Sequence, residues 1–155
     1  MKNESRPGVL PVQHLRELAA SRRIDALMPL REHQYQPASL DLRLGAAARR
    51  LQASFLSGPA ATVADKLAEL EMARLDLRQP TILERDCIYL VQLDERLDLP
   101  ETLRGKANPK STTGRLDVFT RIVTDRSDAF DRIAAGYHGP LWLEIVPRTF
   151  PIIVR

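Results

Sequence analysis

The sequence predicts a mainly β domain, a distorted barrel or jelly-roll-like form with an N-terminal helix and one inserted helix, and three observations carry that expectation. Beyond Pro80 the apolar segments are short and bounded by turn residues: Thr81 to Leu83, Cys87 to Leu93, Val118 to Val123, Leu141 to Val146 and Ile152 to Val154. Prolines at positions 100, 109, 140, 147 and 151 punctuate the same half, which suits sheet edges and loops and argues against long helices. Upstream, Leu40, Leu42 and Leu44 alternate strictly with Ser39, Asp41 and Arg43, the pattern of a half-buried strand, and Gly45 is expected to end it.

The helices follow from a different period. Pro11 suits a first helical turn, and Val12, Leu15, Leu18 and Ala19 recur on one face, so a short amphipathic helix is expected from Pro11 to Ser21. Its charged members Arg16, Glu17, Arg22 and Arg23 form the solvated face. After Gly45 a second alternating run places Leu51, Ala53 and Phe55 together, and Ser57-Gly58-Pro59 breaks it. Thr62 followed by Asp65 has the form of a helix start, with Val63, Leu67, Leu70 and Arg74 continuing at helical spacing.

Bulk properties narrow the class. A length of 155 residues with 44% hydrophobic content suffices for one domain with its own core. The chain carries 23 Lys and Arg against 20 Asp and Glu, scattered rather than blocked, so no basic stripe points to nucleic acid. The single cysteine, Cys87, lies in an apolar run without a disulfide partner, which fits a reducing cytoplasm. The polar start Met1 to Arg6 leads into Pro7-Gly8 rather than an apolar signal core, and no stretch has the length of a membrane span.

Two segments hold the candidate chemistry. Between Ala107 and Arg115, the turn Asn108-Pro109-Lys110-Ser111-Thr112-Thr113-Gly114 gathers cations and hydroxyls of the kind that receive phosphates, without the Walker spacing. A polar turn of this composition is also an ordinary solvated loop. In the second segment, Gly136-Tyr137-His138-Gly139 leads into a strand with Leu141, Leu143 and Ile145 on one face. Glu144 then falls on the other face beside Trp142 and Val146. If buried among such neighbours its carboxyl should be held protonated more readily than usual, as proton shuttling near neutrality requires; an exposed Glu on an edge strand is the alternative. His14, His33 and His138 are dispersed, and one cysteine cannot complete the zinc-deaminase signature, so no metal site and no zinc are expected.

Taken together and in this order, three segments resemble the dCTP deaminase branch of the dCTP deaminase and trimeric dUTPase superfamily. They are Gln36-Pro37-Ala38-Ser39-Leu40-Asp41-Leu42-Arg43-Leu44-Gly45, Lys110-Ser111-Thr112-Thr113-Gly114-Arg115-Leu116, and Gly136-Tyr137-His138-Gly139 with Leu143-Glu144 beyond it. The resemblance implies a dUTPase-type fold and hydrolytic deamination of dCTP to dUTP and ammonia. It further implies that Glu144 is the acid/base and that Ser111 and Arg115 order the site around the attacking water. Lys110, Ser111 and Thr112 would hold phosphates, with Thr113, Gly114, Tyr137, Trp142 and Leu143 along the nucleotide. Magnesium would accompany the triphosphate, and the working form would be a homotrimer with sites between subunits.

Three departures from the family pattern qualify this. Lys110 stands where many relatives carry Arg, which keeps the charge but loses the bidentate fork, so a looser phosphate hold is expected. Ala134 stands where relatives, and especially dUTPases, carry a water-activating aspartate, which argues against simple dUTP hydrolysis at this site, while dUTP diphosphatase activity, alone or combined with deamination, stays the alternative. The chain stops at Arg155, before the family's last strand and its C-terminal tail, and the pattern is that of the longer bacterial form with tandem domains. A partner domain of a longer chain, or a non-catalytic nucleotide-binding and trimerisation module, are therefore the other expectations.

Overall fold

The computed structural model describes residues 8–155; the polar start, Met1 to Pro7, lies outside the described residues. The first helix, α1 (Val12–Ala20), has Pro11 and Ser21 as its flanking caps, one residue inside the expected limits at each end. Val12, Leu15, Leu18 and Ala19 are its half-buried positions, and Leu15 and Leu18 pack on the core beneath.

The strands of the first two thirds of the chain are β1 (Ile24–Ala26), β2 (Tyr35–Gln36), β3 (Ser39–Leu40), β4 (Leu44–Leu51), β5 (Glu71–Asp76), β6 (Thr81–Leu83), β7 (Ile88–Asp98) and β8 (Gly105–Lys106). Helix α2 (Val63–Leu70) joins β4 to β5, and α3 (Ser111–Arg115) leads into β9 (Val118–Val123). β10 (Arg132–Ile133), β11 (His138–Pro147) and β12 (Ile152–Val154) complete the order. The main sheet is antiparallel in the order β5-β4-β7-β11-β9, with β1 also paired to β7, and short two-stranded sheets join β10 to β8, β12 to β6 and β2 to β3. The domain is thus mainly β with added helices, as the sequence predicts. Among the described residues β5 and β9 stay at opposite edges, so the main sheet remains open instead of closing into a barrel.

Alternation on β7 and β11 sorts the core onto the two faces of this sheet. One face carries Leu93, Leu97 and Leu141 with Ile24, Ile122 and Tyr137, and further along Tyr89, Val91 and Ile145 with Ala48 and Leu83. The other face packs Leu90, Val123 and Trp142 against Val63 and Leu67 of α2. That helix starts at a capping box, in which Thr62 Oγ1 accepts from the Asp65 amide and the Asp65 carboxylate accepts from the Thr62 amide. The Thr62 hydroxyl also donates to the Asp65 carboxylate at 2.7 Å, and this bond, with that from the Thr62 amide, holds the Asp65 carboxyl below its ordinary range.

Several boundaries differ from the expected ones. Gly45 does not end a strand; it lies inside β4, where a Cβ would overlap the backbone carbonyl oxygen of Gln92 on β7. The glycine is there for close approach of two strands, not for a turn. Gly45→Ala is expected to destabilise the domain by about 1–3 kcal/mol, read as a lower urea midpoint. Ala53 and Phe55 lie beyond β4 in an irregular segment, although Phe55 still packs on the third cluster. Arg74 belongs to edge strand β5 rather than to the helix, because Glu71 turns extended to pair with Leu51 and its carboxylate takes Arg49 at 2.7 Å.

The alternating run from Ser39 to Leu44 is also interrupted, since residues 41–43 leave the ladder. Apart from Arg43 O, which accepts from the Asp94 amide of β7 at 3.0 Å, their paired backbone groups go instead to side chains and turns. The Asp41 amide donates to Gln34 O and Asp41 O accepts from Gln34 Nε2, both at 2.8 Å, while the Arg43 amide donates to Glu95 Oε2 at 2.9 Å. Glu95, 0% exposed on β7, is the centre of this arrangement. Its Oε1 accepts from Gln34 Nε2 at 2.8 Å and from Arg43 Nε at 3.1 Å, and the rest of the Arg43 guanidinium donates to Met28 O and Pro29 O. A buried carboxylate is tolerable when its lone pairs are satisfied this fully.

Candidate active site

The face of the sheet that carries Trp142 also carries Glu144, two residues on along β11. Glu144 is only 2% exposed and lies in the wall of a cleft of about 670 Å³, a volume suited to a small ligand. It is neither in bulk solvent nor surrounded only by apolar atoms. Its register partner on β9 is Arg121, whose Nε donates to Glu144 Oε1 at 2.7 Å. The second oxygen, Oε2, accepts from the Ser54 hydroxyl at 2.5 Å, and Ser54 Oγ accepts in turn from Arg121 Nη2 at 2.6 Å. The expectation of a carboxyl set among apolar neighbours is therefore corrected: three polar groups close a ring, and the apolar atoms form its surroundings.

Arg121 is held from its flat face as well. Its guanidinium lies 3.5 Å from the centre of the Phe130 ring and 5.2 Å from that of Phe119. Such stacking orients the planar fork while leaving its edge free for hydrogen bonds. Neither Arg121 nor Ser54 stands out in the sequence. Arg121 is a single cation in an apolar strand, and only its pairing with the single acid of another apolar strand could have marked it. Ser54, in the irregular segment after β4, carries no local signal.

The phosphate-type turn is partly helical. Ser111 to Arg115 form the single turn of α3, while Lys110 precedes it and is held to Asp41 at 2.5 Å. Pro109 and Gly114 line the Glu144 cleft, so the turn reaches the site. Lys110, Ser111, Thr112 and Arg115 are exposed and Thr113 is half-buried, and none of these side chains forms the cleft wall. The structure therefore brings Glu144 together with the backbone of the turn, not with its cations and hydroxyls.

The remaining sequence candidates are structural in placement. Tyr137 is buried in the first core cluster, its hydroxyl donating to Pro140 O at 2.6 Å and accepting from the Asp125 amide at 3.2 Å. Burial pushes its phenol up to about 12, so it remains a donor at any working pH. Trp142 is buried in the third cluster, with Nε1 lacking a partner among the described residues. Leu143 points to the opposite face from Glu144 and packs between the first two clusters. Ala134 is exposed just beyond β10. Among the described residues no three His, Cys, Asp or Glu side chains gather into a metal site, so this donor set does not by itself build a place for a divalent ion. No helix there is long and apolar enough to cross a membrane.

That combination defines a class: an antiparallel β domain with a carboxylate recessed in a ligand-sized cleft beside a cationic, hydroxyl-rich turn. Within it, the family model described as the 2'-deoxycytidine 5'-triphosphate deaminase (DCD) N-terminal domain matches residues 6–155, and the chain belongs to that family. Among solved structures it is similar to 2'-deoxycytidine 5'-triphosphate deaminase from Agrobacterium tumefaciens, with 52% identity and a TM-score of 0.92. The match covers 96% of this chain and 44% of that one, so this chain spans less than half the length of its solved relative. No curated protein matches it.

Proposed function

We propose that this domain deaminates dCTP hydrolytically to dUTP and ammonia, with Glu144 carrying the proton. The observation that carries the reading is a carboxylate 2% exposed, yet on the wall of a 670 Å³ cleft. A group that takes a proton from water and returns it must be shielded from bulk solvent while open to the ligand. As water adds to C4 of cytosine, Glu144 accepts its proton. The C4–N bond then breaks as the departing amine takes that proton up, and the remaining proton of the added hydroxyl passes to N3, which leaves a carbonyl at C4 and a hydrogen on N3. Membership of the family and the similarity to the Agrobacterium enzyme support this reaction over others.

In this reading Lys110, Ser111 and Thr112 receive the phosphates, Thr113 and Gly114 line the turn, and Ser111 and Arg115 order the attacking water. Trp142 supports the nucleotide side from the Glu144 face, while Tyr137 and Leu143, packed on the opposite face, act by holding β11 in place. Magnesium travels with the triphosphate and zinc takes no part. Because the polar side chains of the turn are exposed and lie off the Glu144 cleft, the site is completed by a second copy in a homotrimer, or by a partner domain of a longer chain. Exposed Leu116 and Phe119 beside the cleft fit such an interface. A cytoplasmic location accords with the unpaired Cys87.

The test is to incubate the purified chain, and the longest protein that contains it, with dCTP and with dUTP. Ammonia and dUTP from dCTP, without pyrophosphate, is the expected result. Pyrophosphate from dUTP would identify a diphosphatase, an activity for which exposed Ala134 offers no titratable group. Nucleotide binding with neither product would identify a non-catalytic module.

A further inference from the structure

We infer that Arg121 is the positioning residue for Glu144, holding its carboxylate in one orientation toward the cleft with Ser54 as the second contact; this rests on the reading of Glu144 as the proton carrier. Both oxygens of Glu144 are engaged, Oε1 by Arg121 Nε at 2.7 Å and Oε2 by the Ser54 hydroxyl at 2.5 Å. The two holders are themselves joined, Arg121 Nη2 donating to Ser54 Oγ at 2.6 Å. Three groups that bond one another pairwise leave the carboxylate little freedom to swing.

The ring draws on three distant parts of the chain. Arg121 sits on β9, Glu144 opposite it on β11, and Ser54 comes from the segment after β4. Phe130, from the connection after β9, covers the guanidinium at 3.5 Å and fixes its plane. With a side chain 25% exposed on the cleft wall, Arg121 is shielded on one side and reaches the ligand space on the other. A cation there could serve merely as a buried counter-ion. The geometry points further, because a counter-ion needs only proximity, whereas this one uses the Nε edge on the acid, a second nitrogen on the hydroxyl that shares the acid, and a ring on its face. Misplacing a reacting group by about 1 Å is enough to lose on the order of 10²-fold in rate, so orientation of this kind has a kinetic consequence.

The experiment compares R121Q, R121K and S54A with the parent and with E144Q in the full-length protein, measuring ammonia release from dCTP and equilibrium binding of dCTP. R121Q is expected to lower kcat by on the order of 10²-fold with KM and binding within about threefold. S54A should lower kcat by about tenfold, roughly one hydrogen bond to a charged group. R121K should restore part of the R121Q loss, and added guanidinium ion should raise the R121Q rate. In an E144Q background R121Q should change nothing further, because a residue that acts only through Glu144 has nothing left to position. A merely structural Arg121 would give additive losses and a changed KM, and either result overturns the inference. So would R121Q turning over within threefold of the parent while E144Q does not. If the parent releases no ammonia, the reading of the site fails and this inference with it. Should R121Q not fold, R121K and S54A decide the matter by the same kcat-against-KM comparison and the same non-additivity with E144Q.

Discussion

Glu144→Gln is expected to lower the rate of dCTP deamination by at least 10²–10⁴-fold, the usual contribution of a positioned acid/base, while leaving nucleotide binding nearly intact. Glutamine matches the size of the side chain and can still accept from Arg121 Nε through its carbonyl oxygen, so the ring with Ser54 loses its charge more than its shape. What it cannot do is take a proton from water and return it to the amine. Steady-state ammonia release with a parallel binding titration separates the two effects: a fall in kcat at constant binding is the expected pattern. Arg115→Ala should differ on the proposed reading, weakening binding together with rate, since a cation placed to meet the ligand would contribute to ground and transition states alike. Near-parental turnover in Glu144→Gln would mean that another group carries the proton.

The second large effect concerns stability, far from any ligand. Arg43→Ala is expected to destabilise the domain by about 3–5 kcal/mol, because it strips the cation from a carboxylate with no exposure. Gln34 and the Arg43 backbone amide would still bond Glu95, and Arg43 is itself 17% exposed, so the lower end of that range is the safer expectation. A urea titration should show a lower midpoint with unchanged slope if the folded state is preserved. Replacing both partners, Arg43→Met with Glu95→Leu, should be less damaging than the single change, because no buried charge is left uncompensated. A single variant indistinguishable from the parent would show that the network contributes shape and not stability. Loss of this network would also reach the turn beside the cleft, since Gln34 fixes Asp41 and Asp41 holds Lys110.

How far the sequence could be read depended on whether each element was specified locally. α1 and α2 were legible because an apolar stripe at helical spacing and a capping pair, Thr62 with Asp65, act within one or two turns. β9, β11 and β12 were legible because they are apolar runs between breakers. The apolar run marks β7 only as far as Leu93, although the strand continues to Asp98. Asp94-Glu95-Arg96 has the composition of a turn, and only Arg43 and Gln34, far upstream in the chain, make Glu95 an inward-facing strand residue. Edge strand β5, without a buried residue, had no apolar pattern to betray it.

By itself, then, the sequence determined the mainly β class, both long helices, the turn that carries Lys110 and Ser111, and the side of its strand on which Glu144 falls. Each of these is set by period or by residue chemistry within a few positions. The tertiary structure decided the partners: that Arg121 and Ser54 grip Glu144, that Gly45 sits inside a strand under Gln92, and that the exposed side chains of the turn stand off the cleft. Strand pairing brings together residues that no local pattern connects, and a charge is acceptable in the interior only when such pairing delivers its counterpart.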